Sequence, residues 1–145
     1  MGAPVLATKL TYFLAKTDPG TYPVAQLERE GETVWDGVKN PQALRAVRDM
    51  KTGDRVFLYH SMSEAAIVGI ADVIGPGRPD PKDPKLAVAD FRFRGWIEPP
   101  VTLREIKDSH LFDDWGLVRQ SRLSTMKAPD EFVAWMKLRR PKARI

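Results

Sequence analysis

The stretch Ala65–Ile74 is, but for Asp72, apolar at both sets of alternating positions, and this constrains the fold more than any other feature of the chain. Successive strand residues point to opposite faces, so a run without a polar face must be walled in on both sides. It therefore belongs inside a strongly bent or closed sheet, and the rest of the chain has to supply the cover. Leu86–Arg94 is the contrasting case. Ala87, Ala89, Phe91 and Phe93 fall on one face and Asp90, Arg92 and Arg94 on the other, so one side packs and the other stays wet.

The remaining elements follow from punctuation and spacing. Thr11–Ala15 and Arg55–Ser61 read as strands, and Pro23–Glu30 reads as a short helix entered through the turn Asp18-Pro19-Gly20. A second helix is expected from Pro41 to about Met50, where Ala43, Ala46, Val47 and Met50 form one apolar stripe and Gly53 follows. Arg45 and Arg48 sit one turn apart on its other side, facing solvent or a ligand. Residues 75–85 begin Gly75-Pro76-Gly77-Arg78-Pro79-Asp80-Pro81 and are expected to form a long loop that continues no ladder. A strand around Val101, short helical turns over Leu103–Trp115 and a last helix from about Pro129 to Leu138 complete the chain. Such a series predicts an α+β domain with a small, strongly bent sheet or barrel and peripheral helices.

Composition narrows the chemistry. A chain of 145 residues is one domain's length, and folding at that size buries roughly two-thirds of the surface that the unfolded chain exposes. The absence of cysteine excludes disulfides, thiol catalysis and thiolate metal sites. No apolar run approaches the ~20 residues of a membrane span. Met1–Ala7 does not resemble an export signal, and Leu6 stands where a myristoylation site would carry Ser or Thr. The expected compartment is the cytosol, with no membrane association. The net charge of +4 is a property of one end: five of the 23 basic residues (Lys137, Arg139, Arg140, Lys142 and Arg144) lie beyond position 136, and the rest of the chain holds 18 against 19 acidic residues. That end reads as a solvated tail or as a tether to phosphate.

Catalytic signatures are missing. His60 and His110 have no companion at metal-ligand spacing, so no metal is expected. His60 and Ser61 are adjacent on a strand and point apart, which disfavours a nucleophile and base pair. Gly75-Pro76-Gly77 lacks the strand-to-helix setting of a phosphate loop, and Asp113-Asp114 suits an exposed turn. No cofactor is implied.

What stands out instead is Trp35-Asp36-Gly37-Val38-Lys39-Asn40-Pro41. Asn40 can cap the second helix and Pro41 suits its first turn, which would gather uncommitted amide donors beside the Trp35 ring. Flat ring plus donors suits a nucleobase, although Trp35 could equally plug the core. Tyr59-His60-Ser61 at a strand end and Ser121-Arg122-Leu123-Ser124 before the last helix offer further polar tips.

Together with Tyr12-Phe13-Leu14-Ala15-Lys16-Thr17-Asp18-Pro19, these motifs resemble the EVE domain in order and spacing, over about residues 11–138. The resemblance implies a PUA-like pseudobarrel, related to the YTH readers of methylated RNA and to thymocyte nuclear protein, with residues 1–10 as an extension and 139–145 as a basic tail. It also implies a pocket for a modified base drawn from Lys16, Trp35, Gly37, Val38, Lys39, Asn40, Tyr59, His60, Ser61, Arg122 and Ser124. Separately from the resemblance, Lys39, Arg45, Arg48 and the basic tail are the residues expected to add phosphate contacts. Three positions depart from the family pattern: Phe13 stands for a usual Trp, Lys39 for Arg, and Arg78 for the Tyr of a Tyr-Pro-Asp. The expected function is a non-catalytic, monomeric reader of a modified base, such as a 5-substituted cytosine or N6-methyladenine, in DNA or RNA. The alternative is a small hydrolase of modified nucleosides, as in ASCH domains, with Lys16 activated beside Glu64 or Asp18. A protein-interaction module is a third reading, with little in the composition to favour it.

Overall fold

The computed structural model describes residues 9–62 and 64–145, so positions 1–8 of the expected N-terminal extension lie outside the described residues. The elements in chain order are β1 (Tyr12–Thr17), α1 (Val24–Glu30), β2 (Glu32–Trp35), α2 (Pro41–Asp49), β3 (Arg55–His60), β4 (Ala66–Asp80), β5 (Asp83–Thr102), α3 (Leu103–Asp108), α4 (Gly116–Arg119), β6 (Thr125–Lys127) and α5 (Asp130–Arg139). The six strands form one sheet in the order β2-β5-β4-β3-β1-β6, parallel between β1 and β3 and antiparallel elsewhere. Its two end strands, β2 and β6, are not paired with each other, so this α+β sheet is bent but unclosed.

The apolar run of β4 occupies the place its composition demands, between β3 and β5. Ile67, Ile70, Ala71 and Val73 are buried there with Phe57, Leu58, Phe91 and Ile97 of the neighbouring strands. Repeated register shifts along the β4–β5 pair mark bulges, which bend long strands. Helix α2 buries Ala43, Leu44, Ala46 and Val47. Around α5, Phe112, Trp115, Phe132 and Trp135 interlock, with Phe112 edge-on to Phe132 at 5.1 Å between centroids. No helix among the described residues is long and apolar enough to cross a membrane.

Two expectations are corrected. Residues 75–80 are not a loop: β4 continues to Asp80, pairing Arg78 with Val88 and Pro79 with Ala87. β3 has ended by then, so only one edge of β4 needs donors and proline is tolerated. Gly77 makes the extension possible by lying directly on the α2 backbone at Val47 and Arg48, where no Cβ would fit, and its N–H donates to the Met50 carbonyl at 3.0 Å. Nor is the basic end a solvated tail. Arg139 pairs with Glu105, Arg140 donates to the Pro99 carbonyl at 2.7 Å, and Arg144 and Arg94 each donate to the other's carbonyl.

Candidate functional site

A cavity of about 510 Å³ opens where the two ends of the sheet approach one another. Lys16 and Thr17 reach it from the end of β1, Thr33, Val34 and Trp35 from β2, Asp36, Gly37 and Val38 from the turn that follows, and Ser124 from the segment entering β6. The turn after β1 adds Asp18, Thr21 and Tyr22. Local chemistry holds that turn firmly. The Asp18 carbonyl accepts the N–H groups of Thr21 and Tyr22, its carboxylate accepts that of Gly20, and the Thr17 hydroxyl donates to the Tyr22 carbonyl at 2.7 Å.

Trp35 is at once a core residue and a lining residue of the cavity. Its ring is only 8% exposed and stacks on Phe91 at 4.9 Å and 22°, with Tyr22 edge-on at 6.0 Å. It also forms part of the cavity wall, so the core fixes the orientation of an aromatic surface that a ligand can use. Phe13 is fully buried and outside the lining, which leaves Trp35 and Tyr22 as the aromatic residues of the cavity. The Tyr22 phenol is pushed up by burial and by its hydrogen bond to Glu30.

The donors differ from those expected. Asn40 does cap α2, but its side-chain oxygen accepts the N–H groups of both Gln42 and Ala43, Leu44 bonds to the Asn40 carbonyl, and Pro41 has no N–H. The start of α2 therefore has no donor to spare. The turn before it does: among the described residues, the N–H groups of Gly37, Val38 and Lys39 meet no acceptor. Gly37 makes this turn with φ at +78°, a conformation costly for any residue with a Cβ.

Lys16 lies half-buried, and burial pushes its ammonium pKa down. That direction suits an amine nucleophile, yet Nζ donates to the Ser121 carbonyl at 3.0 Å and sits 5.4 Å from the Tyr59 ring centre. Glu64 lines other cavities and not this one; Asp18 shares the cavity with Lys16, but the two form no ion pair. The contacts tie Lys16 to the 121–124 segment rather than to a proton acceptor. Among the described residues, no three His, Asp or Glu side chains gather as metal ligands.

The other candidates do not line the cavity. Tyr59 is buried beneath Lys16. His60 faces away, lining a smaller cavity with Met62 and Pro100, and its Nε2 accepts the Val24 N–H at 3.1 Å at the start of α1. Burial pushes its pKa down, which favours the neutral ring this bond requires. Ser61 is exposed and bonds to the Thr17 carbonyl. Lys39, Arg45 and Arg122 are exposed and make no ion pair among the described residues, while Arg48 donates to the Lys85 carbonyl and ties the β4–β5 hairpin to α2. Sequence reasoning missed Thr17, Thr21, Tyr22, Thr33, Val34 and Asp36 as lining residues. Asp36 was inside the motif, but only the turn at Gly37 brings it to the cavity alongside its neighbour Trp35.

Comparison with known proteins matches the sequence and the fold of the chain to described ones. The sequence model of the EVE domain family matches residues 11–137. The chain is 33% identical over 96 residues to thymocyte nuclear protein 1 of Gallus gallus, which covers 54% of this chain and 40% of that protein. It thus spans about two-fifths of that relative's length. An NMR structure of a Rhodopseudomonas palustris protein superposes with a TM-score of 0.84 at 32% identity, over 91% of this chain and 94% of the other. The crystal structure of human thymocyte nuclear protein 1 with 5-methylcytosine-containing DNA superposes with a TM-score of 0.78 at 24% identity, over 88% and 96%.

Proposed function

This chain belongs to the EVE domain family, and from that premise we propose that it is a non-catalytic module that holds a modified base of DNA in the cavity beside Trp35. The observation that carries the reading is the Trp35 ring, fixed from behind by Phe91 and lining a cavity in the size range of small-molecule sites. The human relative bound to 5-methylcytosine DNA makes a 5-substituted cytosine the first ligand to test. N6-methyladenine and RNA strands are the comparison arms.

The energetics select the form of the ligand. Stacking a base on an aromatic ring contributes about 1–3 kcal/mol, while extracting a paired base costs a few kcal/mol. One ring barely offsets extraction, so single-stranded or mismatched sites bind best, with Lys39, Arg45 and Arg122 adding phosphate contacts. Burying one methyl contributes about 0.8 kcal/mol, or about a four-fold preference over unmodified cytosine.

Equilibrium binding to single strands carrying one 5-methylcytosine, cytosine or N6-methyladenine tests the proposal. Expected is a preference of about four-fold for 5-methylcytosine over cytosine, with Trp35→Leu weakening binding by about 1–3 kcal/mol while the protein remains folded by circular dichroism. Binding that ignores both the modification and Trp35 contradicts it.

A further inference from the structure

Asp36 is the one charged side chain of the cavity's Trp35–Val38 wall, and it makes no hydrogen bond or ion pair among the described residues. Asp18, the other lining carboxylate, is already used by the Gly20 amide and the turn it holds. Asp36 therefore has no architectural duty, yet it sits between the stacking ring and the Gly37 turn.

A carboxylate only accepts hydrogen bonds, and a backbone N–H only donates. Read along the chain, the turn thus offers an acceptor at Asp36 followed by unpartnered donors at Gly37 and Val38. The pairing edge of cytosine presents the complement: the N4 amine donates, and N3 and O2 accept. Thymine presents O4, which accepts, and N3–H, which donates, so two of its three positions would meet a like group. We propose that Asp36 is a specificity-determining residue that, with the Gly37 and Val38 amides, selects cytosine-type bases by accepting from the exocyclic amine.

The need for such a residue is chemical. Thymine carries the same 5-methyl group as 5-methylcytosine, so an apolar contact to the methyl cannot separate the two. A reader of 5-methylcytosine in DNA must sense position 4 or N3, where the two bases differ, and an unpaired group facing the wrong base costs more than a missing contact. The inference rests on the base-binding function proposed above and names which part of the base is read.

Its test compares single strands that differ only in one central 5-methylcytosine or thymine, bound to the wild-type chain and to Asp36→Asn. The amide replaces an acceptor-only group by one that can also donate, without changing shape. Wild type is expected to favour 5-methylcytosine by about ten-fold, and Asp36→Asn to reduce this to about two-fold or less with an unchanged thermal midpoint. Equal binding of both strands by wild type, or a preference that survives Asp36→Asn, overturns the role of Asp36 and leaves base binding standing. Failure of the wild-type chain to bind either strand overturns base binding, and this inference with it.

Discussion

Asn40 shows how a residue that reads as a ligand contact in the sequence can have its chemistry consumed by the fold. Its side chain satisfies two amides at the start of α2, so Asn40→Ala should cost about 1 kcal/mol in urea unfolding. His60 is a second case. Its Nε2 must be unprotonated to accept the Val24 N–H, and burial lowers its pKa from the ordinary value near 6.5. A folded-state pKa below the unfolded one means that the unfolded chain binds more protons, so stability is complete above about pH 6.5 and falls as pH drops below it. Urea midpoints measured from pH 7.5 to 5.5 should decline, and His60→Gln, which keeps an acceptor without a titrating ring, should flatten that part of the decline. The capping role of Asn40 was legible in the sequence because capping is local. The duty of His60 was not, because its partner lies 36 positions away.

Most elements were legible because each carries its own punctuation: Asn40-Pro41 at the start of α2, the two-faced apolar run of β4, the alternation at the start of β5. The missed strands are short ones: β2 has four residues and β6 three, too few for a pattern to emerge. They are also the ends of the sheet, so their existence depends on the partners β5 and β1 rather than on their own sequence. The extension of β4 through residues 75–80 was hidden by its prolines, whose missing donors matter only on a paired edge. Gly77 is where that extension meets α2. Gly77→Ala should push the hairpin off the helix and cost about 1–3 kcal/mol in thermal or urea unfolding, with loss of the contact between Arg48 and the Lys85 carbonyl.

At the scale of the whole molecule, the unclosed sheet and the cavity are one feature. β2 and the segment entering β6 come from opposite ends of the strand order, and the cavity lies where they approach without pairing. Lys16 helps hold this opening by bonding the Ser121 carbonyl from β1. The sequence pointed to Trp35, Gly37, Val38, Lys16 and Ser124 through motif resemblance, and all five line the cavity. Tyr59, His60 and Ser61 do not, because burial and backbone pairing use them elsewhere. The central claim is that a base occupies this opening. It is tested most directly by following backbone amide and Trp indole NMR signals during titration with a single strand containing one 5-methylcytosine. The account predicts that the largest shifts fall on Lys16, Thr17, Trp35–Val38 and Ser124; shifts centred on another surface, such as the groove between Lys9 and Lys137, would contradict it.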